Sequence, residues 1–159
     1  METTRHFVAT VYVVNDGAVA LHEHEKLDMW LPPGGHLERD ELPHEAAKRE
    51  VREELGQSVE LVAPSGELES PTARSIPCPQ HFLLEDINVS EEGVGHQHVD
   101  FVYYGRVEDR TIDPAEDETG PGAWEWFTAQ DLRQNEDLLE PDVIDAGQGA
   151  IDAVGQFAP

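Results

Sequence analysis

Three glutamates near the middle of the chain have a spacing that places them on one side of a helix. Glu50, Glu53 and Glu54 lie three and four residues apart within a run of helix-forming residues. Residues at these separations are neighbours on an α-helix, so the three carboxylates share one arc of its surface. Like charges at this spacing cost roughly 0.2–0.5 kcal/mol per pair. Their clustering has no explanation in stability and indicates a bound divalent cation.

The nature of the ligands predicts which cation binds. Carboxylate oxygens, with no cysteine and no obligatory histidine, favour Mg²⁺ or Mn²⁺. Mg²⁺ sites commonly combine a few carboxylates with water and substrate phosphates. We therefore expect Mg²⁺ (or Mn²⁺) as cofactor.

The helix that carries the glutamates is expected over residues 42–55. Ala47, Val51 and Leu55 repeat every four residues beside the acidic arc and predict that the helix packs on a sheet. Gly56 stands where a helix C-cap is expected. A rigid element should therefore hold the metal.

A segment rich in proline and glycine precedes this helix. Residues 30–35 (WLPPGG) are expected to interrupt regular structure. Gly34 and Gly35 allow a tight turn and a close approach to an ion or a phosphate, which a Cβ atom could prevent.

The remaining elements are predicted from alternation, turns and caps. A hairpin is expected around the turn at residues 15–17, and helical spacing returns at the C-terminus, where Gly147 and Gly149 weaken the pattern. The predicted strands are 6–14, 18–22, 81–89, 96–107 and 123–127, the loops are 65–80 and 108–122, and helices begin at 128 and near 143. No repeat or boundary divides the chain, so residues 1–159 are expected to form a single domain.

Charge narrows the choice of partners. The 34 acidic and 10 basic residues give a formal net charge of −24, which disfavours nucleic acid as a partner. Lysine is rare, and an acidic surface of this kind is typical of halophilic proteins, with an acidic interaction surface as the alternative.

No apolar run is long enough for a bilayer, so we expect no membrane partner and a cytoplasmic location. A homodimer is compatible with the sequence.

The stretch from Gly35 to Gln57 resembles the Nudix box, G-x5-E-x7-R-E-U-x-E-E-x-G-U, in which U is apolar. The residues that fall in register are Gly35, Glu41, Arg49, Glu50, Val51, Glu53, Glu54 and Gly56. Gln57 departs from the pattern at the last position. The resemblance implies an α/β fold of the α+β kind, a Nudix-type α/β/α sandwich with a mixed sheet and the box as loop-helix-loop.

The resemblance also implies roles for residues of this chain. Glu50, Glu53 and Glu54 would bind metal together with the Gly34 carbonyl, and one of the glutamates, Glu50 among them, would act as general base. Arg49 is grouped with the catalytic residues through an ion pair with Glu41 that orients the helix. Glu118, in a stretch similar to one of nucleoside triphosphate hydrolases, is the candidate for a further metal ligand. Gly56 is expected to be structural.

The implied function is hydrolysis of a diphosphate linkage in a small nucleotide-like molecule, giving a nucleoside monophosphate and either phosphate-X or pyrophosphate. Two alternatives are a non-catalytic ligand sensor and a Nudix-fold isomerase. A sensor would be expected to have lost box acids, which are intact here. Cys78 lies in a sequence unlike that around an isomerase cysteine.

Several residues outside the box are candidates for substrate contacts. His96, His98 and Asp100 alternate on a predicted strand and so face one side, where they could line the substrate pocket, bind a transition metal or be structural. Trp30 could stack on a base or anchor its loop, and Gly35 could contact a phosphate.

Overall fold

The protein is built on one mixed sheet, described here from a computed structural model of residues 2–64 and 66–157. The strands are β1 Thr4–Asn15, β2 Ala18–His24, β3 Met29–Leu31, β4 Gly34–His36, β5 Glu60–Leu61, β6 Glu69–Ser70, β7 Ala73–Arg74, β8 His81–Asp86, β9 Val89–Ser90, β10 Gly93–Val94, β11 His96–Arg106 and β12 Trp124–Thr128. The helices are α1 Pro43–Leu55, α2 Ala129–Gln134 and α3 Pro141–Gln156, with a short 3₁₀ turn at Pro121–Ala123.

The strand order of the main sheet is β12-β2-β1-β11-β5. β1 and β11 run parallel, and the other strand pairs in the described residues are antiparallel. β3, β4 and β8 pair with β2, β1 and β11, respectively. The mixed sheet that was expected is confirmed.

Each face of the sheet is covered by helix. Ala9, Val11 and Val13 of β1 pack with the apolar stripe of α1, which includes Val51 and Leu55. Alternate residues of β1 and β11 point the other way, onto a second cluster that includes residues of α2 and α3. This arrangement follows from strand alternation and confirms the α/β/α sandwich.

Helix α1 begins and ends at residues suited to those positions. Leu42 is the N-cap, and its N–H donates to the carboxylate of Glu45 at 3.0 Å. Pro43 occupies the first turn, where its missing N–H costs no hydrogen bond. Gly56 adopts the left-handed conformation, φ 71°, and donates to the Arg52 carbonyl at 2.9 Å. The predicted C-cap is confirmed.

Two expectations about irregular segments were wrong in their extent. Within residues 30–35 the break is confined to Pro32 and Pro33, because Trp30 and Leu31 belong to β3, and Gly34 and Gly35 belong to β4. Pairing with β1 outweighs the low strand propensity of the two glycines. The segment 65–80, expected to be a loop, contains the short β6–β7 hairpin, while Ser65 lies outside the described residues.

Two of the three glycines of α3, Gly147 and Gly149, have a packing role. A Cβ atom at Gly147 would lie 2.9 Å from Leu132, and one at Gly149 would lie 2.5 Å from the Tyr104 hydroxyl. Both glycines therefore let α3 approach α2 and the sheet closely, which offsets their low helix propensity. No helix within residues 2–64 and 66–157 is long and apolar enough to cross a membrane.

Candidate active site

The acidic arc of α1 faces the backbone of β4. The Gly34 N–H donates to Glu54 Oε2 at 3.0 Å. A Cβ atom on Gly35 would lie 2.7 Å from Cδ of Glu50, so only glycine leaves room for that carboxylate. Neither glycine has a positive φ, since the glycines with positive φ among the described residues are Gly17, Gly56 and Gly93. Close approach, rather than a tight turn, is what requires glycine here.

Arg49 connects the carboxylates of this site to one another. Its Nε and Nη2 atoms donate to the two oxygens of Glu41 at 2.8 and 3.0 Å. Its Nη1 atom donates to Glu50 Oε1 at 2.9 Å and to Glu53 Oε2 at 3.0 Å. Nη2 also donates to the His36 carbonyl at 3.1 Å. One guanidinium thus orients two of the predicted metal ligands and ties α1 to β4.

Burial and crowding set the protonation of the acidic residues. Burial raises the pKa of Glu54 to about 8, with the negative charge of Glu50 acting in the same direction. Burial also raises the pKa of Glu50, although the Arg49 guanidinium opposes the shift. Hydrogen bonds from Arg49 lower the pKa of Glu41. The charge on Glu50 and Glu54 is therefore incompletely compensated by protein groups.

The loop after β11 brings Glu118 to the same place. The last carbonyls of α1 need donors, and this loop supplies two: Asp113 N–H binds the Leu55 carbonyl at 2.9 Å and Ala115 N–H binds the Glu53 carbonyl at 2.7 Å. The negative charge of Glu118 acts on Glu50 and Glu54, raising the pKa of both. The loop therefore adds a fourth carboxylate to the three of α1.

Gln57, the departure from the box pattern, holds this loop as well. Its Nε2 atom donates to Asp109 Oδ1 and to the Thr111 carbonyl, both at 2.8 Å. An apolar residue could not make these bonds. The departure thus affects loop anchoring and leaves the acidic residues in position.

The donor set fits a hard divalent cation. Glu50, Glu53, Glu54 and Glu118 offer only carboxylate oxygens, and Arg49 is the cation that the described residues place among them. Glu50 is 8% exposed, which makes an uncompensated charge costly. A bound divalent ion would neutralise this charge, and carboxylate oxygens are the ligands that such an ion prefers.

A groove of about 500 Å³ lies beside the box. Its walls come from the start of β1 and from the segment linking β4 to α1, and they include His6, His36 and Glu41. Since Glu41 binds Arg49, the groove leads towards the carboxylates. It offers space for the part of a substrate that extends beyond the acidic residues.

The substrate residues predicted on β11 do share one face, but they divide into two groups. His96 and His98 have ring centroids 5.0 Å apart and join His6 and His36, which the sequence did not single out. Burial, followed by the neighbouring imidazoles, lowers the pKa of His98 to about 4. His6 and Tyr12 are an even number of residues apart on β1 and so face the same side of the sheet. This alternation in the sequence could have identified the side on which His6 lies.

Asp100 lies apart from these imidazoles in a buried acidic pair. Its Oδ2 atom accepts from the Thr10 hydroxyl at 2.9 Å, and Glu85 approaches it from β8. Burial raises the pKa of both carboxyl groups, and the charge of Asp100 raises that of Glu85 further. Trp30 packs edge-on against Phe127, with ring centroids 5.4 Å apart, so its partly buried side chain lies against the core cluster on the α3 side.

Comparison with known proteins places this chain in one family. The model of the NUDIX domain family matches residues 4–146, which is most of the chain. None of the curated protein sequences matches it.

Solved structures share the whole fold. A hydrolase of the NUDIX family from Clostridium perfringens is 31% identical with a TM-score of 0.80, and the match covers 95% of this chain and 99% of that one. A MutT NUDIX hydrolase from Burkholderia pseudomallei is 22% identical with a TM-score of 0.61, covering 95% and 98%. A NUDIX hydrolase from Nitrosomonas europaea is 20% identical with a TM-score of 0.58, covering 98% and 93%. The latter two are similar in fold.

Proposed function

We propose a chemistry and a substrate class for this chain, which belongs to the NUDIX hydrolase family and is an enzyme. It cleaves a diphosphate linkage in a nucleoside di- or triphosphate derivative, with Mg²⁺ or Mn²⁺ as cofactor. The products are a nucleoside monophosphate and either phosphate-X or pyrophosphate. The observation that carries the proposal is the grouping of four carboxylates, two of which, Glu54 and Glu50, lie against the backbone of Gly34 and Gly35.

The metal ligands we propose are Glu50, Glu53, Glu54, the Gly34 carbonyl and Glu118. When bound, the cation would neutralise the diphosphate oxygens and lower the pKa of an attacking water. The clustering of carboxylates around a buried Glu50 supports this assignment.

The protein groups have separate tasks in this scheme. The Arg49 guanidinium holds Glu50 and Glu53 in place, and Glu41 holds Arg49. The Gly34 N–H fixes one oxygen of Glu54 and leaves the other free to bind an ion. A glutamate of the arc accepts the proton of the attacking water, and Glu50 and Glu53 are the two candidates for that base.

Further proposals concern the substrate contacts, the domain organisation and the cellular environment of the enzyme. His96, His98 and Asp100 are proposed to line the wider substrate surface, with Trp30 and Gly35 as further contacts. Residues 1–159 are proposed to form one domain, since helices cover both faces of a single sheet. The charge of −24 supports a halophilic enzyme that does not bind nucleic acid, and we propose a cytoplasmic location for it.

A substrate screen with Mg²⁺ tests the proposed function. Nucleoside triphosphates, oxidised nucleotides, ADP-ribose, nucleotide sugars and dinucleoside polyphosphates are each incubated with the enzyme, and ³¹P NMR identifies the products. We expect Mg²⁺-dependent release of a nucleoside monophosphate from at least one class, lost in Glu53→Gln and kept in Glu125→Gln, an exposed control on β12. Turnover that survives in both Glu53→Gln and Glu54→Gln would refute the ligand assignment.

A further inference from the structure

Four imidazoles from three strands meet at one place on the sheet. In the parallel register of β1 and β11, His6 is opposite His98, and Thr4 is opposite His96. β4 adds His36, which is opposite Val8 of β1. The histidines project from the face opposite α1, on which the same strands contribute Tyr12 and Tyr104 to the core. We call His6, His36, His96 and His98 the histidine cluster.

The separations within the histidine cluster are those of a nearly formed metal site. One ring nitrogen from each of His6, His36 and His96 lies within 4.8 Å of the others. The ring of His98 has its centroid 5.0 Å from those of His36 and His96. Nitrogen ligands about 2.0–2.1 Å from a tetrahedral ion are roughly 3.3 Å apart. Ring rotations that move each nitrogen by about 1 Å would close the site.

The histidine cluster has few other polar partners. His96 shares a hydrogen bond of 2.8 Å between its Nδ1 atom and the Thr4 hydroxyl, which leaves Nε2 as the free nitrogen. Within residues 2–64 and 66–157, no side-chain hydrogen bond or ion pair engages the rings of His6, His36 or His98. The imidazoles contact one another edge to face, and these contacts supply no hydrogen bonds to the ring nitrogens.

We propose that the histidine cluster binds a divalent transition-metal ion of the Zn²⁺ class, with His6, His36 and His96 as ligands and His98 as the fourth. Imidazole nitrogens select ions such as Zn²⁺, Ni²⁺ and Co²⁺, whereas carboxylate and carbonyl oxygens suit Mg²⁺ and Mn²⁺. The Nδ1–H of His96 would then donate to Thr4, the kind of outer contact that orients a ligating histidine. The chain would carry two metal sites of different chemistry.

The ion would link β4 to the two long strands beside it. The His36 carbonyl accepts a hydrogen bond from Arg49 at 3.1 Å, and Gly35 abuts the Glu50 carboxylate. Fixing the His36 side chain to β1 and β11 would therefore stiffen the strand against which the acidic residues are placed. Because His6 and His36 are exposed, the ion can enter from the groove.

Binding measurements on the untagged full-length chain test this site. Zn²⁺ affinity is measured by competition with a chromophoric chelator in excess Mg²⁺, and Co²⁺ is used to record visible d–d absorption. We expect about one Zn²⁺ per chain and Co²⁺ bands typical of nitrogen ligands. His6→Ala and His96→Ala should each weaken Zn²⁺ binding by more than about tenfold, because even outer-sphere changes cost about 10–100-fold. His24→Ala, which removes an imidazole outside the cluster, should have no such effect.

Three results would overturn the proposal. One is the lack of stoichiometric Zn²⁺ binding in excess Mg²⁺. A second is equal affinity in the wild type, His6→Ala and His96→Ala, with circular dichroism confirming that all are folded. The third is Zn²⁺ binding that disappears in Glu53→Gln but persists in both histidine variants, since the ion would then be at the carboxylates.

Discussion

Gly35→Ala should damage the site while sparing most of the fold. The added methyl carbon would lie 2.7 Å from Cδ of Glu50, whereas non-bonded carbons normally stay about 3.5–4.0 Å apart. The carboxyl group must therefore move by about 1 Å. A displacement of this size in a catalytic group costs on the order of 100-fold in rate, or about 3 kcal/mol of barrier.

The assay compares kcat on the substrate found in the screen with the free energy of unfolding in urea. We expect kcat to fall about 100-fold and stability to fall by no more than about 1–2 kcal/mol, because the contact is with the end of the Glu50 side chain, which can rotate, and not with backbone. Gly155→Ala is the matched control: it lies in α3 with no atom within 4 Å of the new methyl. Its activity should be unchanged.

Gly34→Ala should behave differently from its neighbour. A methyl group there would lie 2.7 Å from the Ala9 carbonyl oxygen, which belongs to the β1 backbone and cannot rotate away. Its main effect should be on folding. Wild-type kcat in Gly35→Ala, or equal loss of stability in the two variants, would refute the claim that Gly35 makes room for the Glu50 carboxylate.

Three further changes give separate tests. Arg49→Lys keeps the charge but loses the guanidinium fork, so stability should fall by about 1–3 kcal/mol and kcat by about 10–100-fold; unchanged values of both would contradict its bridging role. Burial is the first cause lowering the pKa of His22 below 6.5, so this residue should contribute a loss of stability as the pH falls from 7.5 to 5, at about 1.4 kcal/mol per unit of pKa shift, while the raised pKa values of Glu54 and Glu85 act in the opposite direction. Relative to the wild type, the stability of His22→Phe should therefore shift upwards as the pH falls, and His24→Phe is its control; identical pH slopes in all three proteins would contradict this cause. Molar KCl should raise the melting temperature, since it shortens the Debye length to about 3 Å, and a melting temperature indifferent to KCl would contradict the halophilic interpretation.

Much of the site could be predicted from the sequence because the residues that form it are close together along the chain. Glu50, Glu53 and Glu54 share a face by helix geometry alone, and Gly56 marks the end of that helix. The same reasoning assigned His96 and His98 to one side of a strand. In each of these cases the relevant distance is fixed by a few residues of regular backbone.

What the sequence did not reveal depends on long-range register. His6 meets His98 only because β1 and β11 pair in parallel, across more than half of the chain. β3 and β4 form on either side of Pro32 and Pro33 because the neighbouring strands β2 and β1 supply hydrogen bonds. Likewise, Asp100 separates from the histidines because Thr10 and Glu85 reach it from other strands.

The most direct measurement of the central claim is Mn²⁺ binding followed by electron paramagnetic resonance. Free Mn²⁺ is titrated with the wild type, Glu53→Gln, Glu54→Gln and the exposed control Glu125→Gln, at fixed KCl concentration. If the carboxylates facing β4 hold the catalytic cation, the wild type and Glu125→Gln should bind alike, and each box variant should bind at least about tenfold more weakly. Equal Mn²⁺ affinity in all four proteins would contradict a metal site at these glutamates.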